Sequence, residues 1–225
     1  MIAGAPFGAP SPSKQETLVS KIRFHTHPMS RGQIARWALH EAGADYETRI
    51  VEYGDGMHSA DHLAINPMGK VPAIEHDGRV VTEVAAICAY LAEAFPAAGL
   101  APDATERADY YRWLFFVAGP LEQAVSLIFL GVVPTPDQQR TLGCGDPQRV
   151  IDVLDAKLQR DAYVCGGRFT MADVYVGSHV DWGLAFGTLP DREGLRGYAQ
   201  RIRGRAAYQA AKAIDNRLIA ERSPG

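Results

Sequence analysis

The stretch KVPAIEHDGRVVTEVAAICAYL, residues 70–91, carries the clearest folding signals in the chain. Its apolar runs VPAI and RVV flank Asp77 and Gly78, a pair suited to the positive backbone angles of a two-residue hairpin turn. The segment predicts two antiparallel strands followed by a helix, with Pro72 inside the first strand and Glu83 at the start of the helix. The apolar face of that helix is formed by Val84, Ile87, Cys88, Leu91 and Phe95.

The residues before this stretch predict a strand, a helix and a second strand. Ile22 and Phe24 alternate in KIRFH, and the apolar period then changes to that of a helix, which ends at Gly43. Alternation resumes in YETRIVE. The strands in KIRFH and YETRIVE are joined by a helix and are therefore expected to be parallel. A polar region with a short irregular or helical piece then precedes VPAI. The predicted order of this half is βαβ and then ββα.

The chain after Pro96 has a different composition. PAAGLAPDA is typical of a linker, and the segments after Thr105 have the apolar spacing of helices. FTMADVYV predicts a buried helix that begins with a capping box between Thr170 and Asp173. The sequence therefore predicts four parts: a flexible leader over residues 1–20, an α+β domain over 21–96, a linker over 97–104 and an all-helical domain over 105–225.

One segment of the helical part is unusually apolar. Residues 110–118, YYRWLFFVA, are apolar on nearly every side, which predicts a helix surrounded by other helices. Pro120 follows closely and predicts a kink or a short break.

Composition and charge exclude several classes of function. The 225 residues carry 23 basic and 26 acidic side chains, for a net charge of -3, without a basic run interleaved with aromatics. Nucleic acids and anionic membranes are therefore not expected as partners. The three cysteines are far apart with no CxxC pair, which argues against a disulfide framework and a zinc site. No apolar run reaches membrane-spanning length, so we expect a cytoplasmic protein.

Four features, in order and at suitable spacing, resemble the glutathione transferase family across nearly the whole chain after residue 20. They are INPMGKVPAI, the acidic residue that opens the following helix, RFTMADV and GYAQRIRGRAAYQAA. Each is only moderately specific alone, and their common order makes the resemblance strong. It implies a thioredoxin-like N-terminal domain, an all-α helical-bundle C-terminal domain and a homodimer through both domains, with glutathione as co-substrate and no metal or redox cofactor.

The resemblance assigns roles within the opening stretch. The bond before Pro72 would be cis and would expose the N–H and C=O of Val71 along an edge, where the cysteinyl unit of glutathione can pair like an added strand. Glu83 would bind the ammonium of the glutamyl unit, and the N–H groups of Glu83 and Val84 would bind its carboxylate. The family usually has Ser where this chain has Val84. A lost hydroxyl contact of about 1.5–3 kcal/mol would weaken glutathione binding about ten- to a hundredfold unless the helix start compensates.

The catalytic hydroxyl is expected between the first strand and the first helix. A free thiol is mostly protonated at neutral pH, so a hydrogen-bond donor at the sulfur must favour the thiolate. The family places a Tyr, Ser or Cys there, and HTHPMSRG offers the hydroxyls of Ser30 and Thr26. We favour Ser30, because the N-terminus of the first helix also stabilises an anion, although Ser30 could equally be a plain helix cap. Thr26 is the next choice.

Two further contacts follow from the resemblance with less support. His58, in the loop before NPMGK, and Lys70, next to the Val-Pro pair, would hold the glycyl carboxylate of glutathione. Met57 competes with His58 for this position, because the loop has no anchoring motif. Residues such as His58 and Lys70 are more often simple solvated surface side chains.

These expectations define one main function and two alternatives. We expect an enzyme of detoxification that lowers the thiol pKa of glutathione and holds a small hydrophobic electrophile for attack. The same site could instead serve glutathione-dependent isomerisation, peroxide reduction or dehalogenation. A non-catalytic relative that acts through protein partners is the competing class, and Val84 and the unusual HTHPMS stretch favour it somewhat.

Overall fold

The computed structural model describes residues 21–222 of the chain. The leader predicted for residues 1–20 lies outside the described residues. The described part begins with four strands interspersed with helices and continues with helices alone. This order agrees with the predicted α+β, thioredoxin-like domain followed by a helical domain.

A mixed sheet forms the centre of the first domain. The strands are β1 (Ile22–Thr26), β2 (Tyr46–Ile50), β3 (Ala73–His76) and β4 (Arg79–Thr82). Their order is β2-β1-β3-β4, with β1 parallel to β2 and antiparallel to β3, and with β3 antiparallel to β4. The prediction was wrong in one detail: Pro72 lies just before β3 rather than inside it, since proline has no N–H to contribute to the ladder.

The turn between β3 and β4 has the predicted geometry. Asp77 has a φ of 49° and Gly78 a φ of 73°. Positive φ at both central residues is the type I′ arrangement, whose twist matches that of the strands it joins. His76 and Arg79 pair across it and close the hairpin.

Three helices complete the first domain: α1 (Gly32–Ala42), α2 (Ala60–Ile65) and α3 (Val84–Ala94). Helices α1 and α3 pack against each other and against the sheet. Helix α1 ends at Gly43, whose φ of 64° is the left-handed conformation expected of a helix-ending glycine. The side chains buried between the sheet and these helices include Ile22, Phe24, Leu39, Ile74, Ile87 and Leu91.

Seven helices follow in the described part of the second domain. They are α4 (Arg107–Phe116), α5 (Glu122–Phe129), α6 (Pro136–Thr141), α7 (Pro147–Arg160), α8 (Met171–Phe186), α9 (Glu193–Arg203) and α10 (Ala206–Ala220). A π-helical turn over Val117–Leu121 joins α4 to α5 and contains Pro120, which confirms the predicted interruption. Helix α4 is not surrounded as predicted, because Tyr111 is 40% and Phe115 70% exposed.

The capping box at the start of α8 is present. The Asp173 carboxylate accepts hydrogen bonds from the N–H groups of Thr170 and Val164, each at 2.8 Å, and from the Tyr198 hydroxyl at 2.8 Å. All of these groups are buried. Thr170 and Asp173 therefore have the structural role predicted for them, and α8 forms the centre of the helical domain.

Charged side chains join the two domains. Arg36 on α1 donates through Nε to Asp215 on α10 at 2.9 Å, and both side chains are 1% exposed. Arg205 forms a two-pronged ion pair with Glu41, with N–O distances of 2.6 and 2.7 Å. These contacts fix the orientation of α1, and hence of the loop before it, relative to the helical domain. No helix within residues 21–222 is long and apolar enough to cross a membrane.

Candidate functional site

An open backbone edge lies just before β3. The peptide bond between Val71 and Pro72 is cis, as the resemblance implied. The carbonyl oxygen of Lys70 accepts hydrogen bonds from His62 Nε2 at 3.1 Å and from Asn66 Nδ2 at 2.8 Å, so two side chains hold the backbone immediately before Val71. Across residues 21–222, the N–H and C=O of Val71 have no backbone partner. These two groups can therefore pair with an extended peptide.

Glu83 stands at the N-terminus of α3. Its backbone has φ 63° and ψ 119°, a conformation that costs a non-glycine residue about 1–3 kcal/mol and is concentrated at functional sites. The side chain is exposed and makes no hydrogen bond or ion pair with any described residue. Val84, by contrast, is 8% exposed and belongs to the core. An unpaired carboxylate thus lies beside helix amides that have no intrahelical acceptor.

Ser30 lies two residues before α1, in the loop that follows β1. Its hydroxyl donates to the His27 carbonyl at 2.6 Å and accepts from the Gly32 N–H at 3.0 Å. A serine hydroxyl has a single proton, so this proton is used within the loop. Contact with a thiolate would require the hydroxyl to rotate away from His27. The position of Ser30 agrees with the prediction, and the bond to Gly32 is the capping role considered beside it.

Thr26 is less accessible than Ser30. Its side chain is fully buried at the end of β1, and its hydroxyl points to the His27 carbonyl at 3.5 Å. Gly32 packs directly over it, because a Cβ added at Gly32 would lie 1.8 Å from Thr26 Oγ1. This environment is typical of a packing role at the joint between β1 and α1.

The loop between β1 and α1 is held by an aromatic pair. The His27 ring lies 4.4 Å from the Tyr53 ring, and its Nδ1 accepts from the Met29 N–H at 3.2 Å. The Tyr53 hydroxyl donates to the Met29 carbonyl at 2.8 Å. His27 Nε2 lies 3.4 Å from a carboxylate oxygen of Glu52. These contacts fix the backbone that carries Ser30.

The His58 side chain lies close to the backbone that precedes Lys70. His58 Nδ1 donates to the Gly54 carbonyl at 2.8 Å, and its ring lies against Gly69, the residue before Lys70. Both His58 and Lys70 are exposed. Met57, the alternative to His58 at this position, is 6% exposed, so its side chain is buried.

An ion cluster beside Ser30 was missed by the sequence reasoning. Arg31 donates to the carboxylate of Glu122, the first residue of α5, and His179 Nε2 on α8 lies 3.1 Å from the other oxygen of that carboxylate. The hydrogen bond from His179 lowers the pKa of Glu122 against the opposing effect of burial, and the positive charges of Arg31 and Lys70 lower it further. The interruption predicted at Pro120 lies two residues before Glu122 and was the sequence signal nearest to that residue.

The protein's own cysteine side chains Cys88 and Cys165 have raised pKa values. Burial raises the pKa of Cys88, which is fully buried, and raises that of Cys165 to about 11. These thiols are therefore protonated at neutral pH and are weak nucleophiles. Residues 21–222 contain no group of three or more His, Cys, Asp or Glu side chains that could hold a metal ion.

Comparison with known proteins identifies the family. The glutathione S-transferase N-terminal domain matches residues 29–94, and the glutathione S-transferase C-terminal domain matches residues 145–206. The first match contains Ser30, the Val71–Pro72 bond and Glu83, and the second contains the capping box at the start of α8. The α+β domain and the helical domain are therefore each matched by a separate domain model of the family.

Individual relatives agree with the domain matches. The chain is 29% identical over 184 residues to glutathione S-transferase GstA of Escherichia coli O157:H7, covering 77% of this chain and 88% of that protein. It is 31% identical over 175 residues to protein LigF of a Sphingobium species, covering 60% and 68%. A theta-class glutathione S-transferase of Xanthomonas axonopodis pv. citri, solved with glutathione bound, superposes with a TM-score of 0.68 at 28% identity and covers 84% of this chain and 96% of that one. This chain is a member of the glutathione S-transferase family.

Proposed function

We propose that the protein binds glutathione as co-substrate along the edge at Val71, stabilises its thiolate, and transfers it to a small hydrophobic electrophile. The observation that carries this proposal is the exposed Glu83 carboxylate at the start of α3, near the backbone groups of Val71; none of these groups has a partner among residues 21–222. The relative from Xanthomonas that was solved with glutathione bound supports the choice of ligand.

The site offers a complementary group for each part of the tripeptide. The Glu83 carboxylate suits the glutamyl ammonium, and the free amides at the start of α3 suit the glutamyl carboxylate. The Val71 N–H and C=O suit the backbone of the cysteinyl unit. His58 and Lys70 are the proposed contacts for the glycyl carboxylate, and the His58 ring is held by its hydrogen bond from Nδ1 to the Gly54 carbonyl.

Thiolate formation is assigned to Ser30 and to the N-terminus of α1. A hydroxyl that donates to the sulfur stabilises the charged form by about 1.5–3 kcal/mol, or about one to two pKa units. Ser30 would exchange its bond with the His27 carbonyl for one with the sulfur. The catalytic gain then comes from thiolate stabilisation and from proximity of the two reactants.

Val84 is the main departure from the family pattern. Because its side chain is buried in the core, it offers no hydroxyl to the glutamyl carboxylate, and the backbone amides must bind that group alone. We therefore expect glutathione binding about ten- to a hundredfold weaker than in a protein with serine at this position.

Calorimetry with glutathione tests the proposal directly. The unmodified protein should release measurable heat below millimolar ligand, and Glu83→Gln should bind at least about tenfold more weakly, because it loses the charge that pairs with the ammonium. Glu93→Gln, an exposed substitution near the other end of α3, is the matched control and should bind normally. Absence of heat at millimolar glutathione would overturn the proposal.

That negative result would favour a role in binding protein partners, for which the buried Val84 is the motivating observation. If glutathione binds, rates with an aryl halide, a peroxide and a maleyl ester separate transfer from peroxide reduction and isomerisation at the same site.

We also propose that the protein acts in the cytoplasm, because its three cysteines are unpaired in the structure.

A further inference from the structure

His62 is a buried histidine of α2 that the proposed chemistry leaves without a role. It is 5% exposed, and the centroid of its ring lies 6.1 Å from that of His25 on β1. The His25 side chain alternates along β1 with the buried Phe24, so it lies on the sheet face opposite the core that β1 shares with α1 and α3. His62 therefore packs α2 onto this second face of the sheet.

The hydrogen bond to Lys70 fixes which ring nitrogen of His62 carries the proton. The Nε2 atom lies 3.1 Å from the Lys70 carbonyl oxygen. A carbonyl oxygen only accepts, so Nε2 must donate, and in the neutral ring Nδ1 carries the lone pair. Nδ1 is buried and has no hydrogen-bond partner among residues 21–222. The neutral ring therefore satisfies its single N–H group, whereas a second N–H group at Nδ1 would find no acceptor.

Charged side chains surround the His62 ring without bonding to Nδ1. His25 Nε2 lies 2.8 Å from a carboxylate oxygen of Glu75, and that oxygen also accepts from Arg23 at 3.1 Å. The carboxylate on this face of the sheet is thus already paired. The other charged side chains that line the space beside His62 are Arg49 on β2, Glu52 in the following loop and Asp61 on α2. A positive charge on His62 would therefore be buried without a hydrogen-bonded partner at Nδ1.

A cleft between α2 and the sheet offers the charged ring another position. Its volume is about 690 Å³, and His62 lines it. A charged imidazole is more stable in water than in a buried position, so protonation favours rotation of the ring into this cleft. That rotation would break the bond to the Lys70 carbonyl. Of the two side-chain donors to this carbonyl, only Asn66 would then remain, at 2.8 Å.

We propose that neutral His62 is a positioning residue for glutathione. It holds the Lys70 carbonyl and so fixes the backbone of Val71, the next residue, for pairing with the peptide, and its protonation releases this hold. The inference rests on the proposed function. Because the complex requires the uncharged ring, glutathione binding should release a proton from His62. The affinity should accordingly fall as pH falls through the range in which histidines become charged.

The other titrating groups of the complex can be separated from His62. A protonated His58 would attract the glycyl carboxylate, so binding through His58 would take up a proton and would strengthen in acid, which is the opposite sign. The thiol of glutathione also titrates, and S-methylglutathione is therefore the probe, because its sulfur cannot ionise. The carboxylates and the ammonium of this peptide keep most of their charge between about pH 5.5 and 7.

The test is calorimetry of S-methylglutathione binding in pairs of buffers with different heats of ionisation, which gives the number of protons released per ligand bound. For the unmodified protein we expect an affinity about five- to tenfold lower at about pH 5.5 than at about pH 7. We also expect release of about half a proton at about pH 6.5.

Two substitutions of His62 separate its hydrogen bond from its charge. His62→Phe removes the donor, so affinity at about pH 7 should fall about two- to tenfold. His62→Gln keeps a donor that cannot become charged, so it should recover most of that affinity while abolishing the acid loss and the proton release. His40→Gln is the matched control, because His40 on α1 bonds to the Tyr46 hydroxyl and not to the backbone before Val71. It should release protons as the unmodified protein does.

Three results would overturn this inference. Proton release and acid loss that persist in His62→Gln would assign both effects to another group. Equal affinities at the two pH values, or proton uptake by the unmodified protein, would show that binding does not require an uncharged His62. Full affinity of His62→Phe at about pH 7 would show that its hydrogen bond does not position the site. An unmodified protein that binds neither glutathione nor S-methylglutathione would remove the proposed function itself, which is a different result from all three.

Discussion

At the scale of the residue, Ser30 has the position that the sequence predicts, whereas the direction of its hydroxyl is visible only in the structure. The sequence placed it correctly, near the start of the first helix. Only the structure shows that its proton is donated to His27 and that its oxygen accepts from Gly32. These bonds depend on a loop shaped by His27, Tyr53 and Met29, and no spacing rule in the sequence encodes that shape.

Replacing Ser30 by alanine should raise the thiol pKa of bound glutathione by about one to two units, because a donor to the thiolate is lost. The transfer rate at neutral pH should fall about ten- to a hundredfold, and the deficit should shrink as pH rises and the thiol ionises without help. Thiolate absorbance against pH measures the shift. A Ser30→Ala protein with full activity and normal thiol pKa would remove the assignment, and the same titration of Thr26→Val would then test the runner-up.

Gly32 illustrates a residue fixed by packing rather than by chemistry. A Cβ there would lie 1.8 Å from Thr26 Oγ1 and 3.0 Å from Ser30 Oγ, so Gly32→Ala should destabilise the fold by about 1–3 kcal/mol. Gly197→Ala, where a Cβ on α9 would meet nothing within 4 Å, should instead stabilise it by about 0.5–1 kcal/mol. Urea denaturation measures both, and equal effects of the two substitutions would contradict the packing argument.

At the scale of the element, the long helical segment from α4 to α5 positions the ion cluster. The π-helical turn around Pro120 separates the two helices, and Glu122 follows at once, directed toward Arg31 and His179. The sequence predicted the interruption. It could not predict the partners, because Arg31 lies 91 positions away from Glu122 in the chain.

The cluster should make stability depend on pH. The hydrogen bond from His179 holds the pKa of Glu122 below the ordinary glutamate value of 4.5. Because the folded-state pKa is lowered, this contribution is fully present above pH 4.5 and is lost as pH falls through the lower folded value. The free energy of unfolding of the Glu122→Gln variant should therefore be about 1–2 kcal/mol lower than that of the unmodified protein at pH 7. This difference should vanish in acid. A difference independent of pH would contradict the ionic explanation.

At the scale of the whole molecule, the two domains meet through buried charge as well as apolar packing. Arg36 and Asp215 are each 1% exposed and pair at 2.9 Å, and Arg36 also lies over the Phe24 ring at 5.2 Å. The loop before α1 carries Ser30, and α10 holds α1 in place. The arrangement of the proposed active site therefore depends on a contact between distant parts of the chain.

Removing one partner of the Arg36–Asp215 pair should lower the free energy of unfolding more than removing both partners. Arg36→Leu leaves the Asp215 carboxylate buried without its counter-ion and should cost about 3–5 kcal/mol of unfolding free energy. The double variant Arg36→Leu, Asp215→Leu should recover most of that loss, because no buried charge remains. Thermal or urea unfolding of the single and double variants measures the coupling, and strictly additive losses would contradict it.

Association of whole chains is expected to involve the exposed apolar face of α4. Tyr111 and Phe115 lie one turn apart and are 40% and 70% exposed, an arrangement typical of an interaction surface. Light scattering at micromolar concentration should give twice the chain mass of 24.4 kDa, consistent with the expected twofold homodimer. Phe115→Asp should shift the mass toward the monomer. A monomeric mass for the unmodified protein would contradict the dimer.

The sequence by itself determined the order of the elements, the hairpin at Asp77 and Gly78, the capping box of α8, and the position of Glu83 at the start of α3. These features depend on residues within a few positions of one another, so local spacing and backbone preference specify them. Only the tertiary structure decided that the Ser30 proton is used within its loop and that Arg31 meets Glu122. Each of these depends on packing between segments far apart in the chain, which local periodicity does not encode.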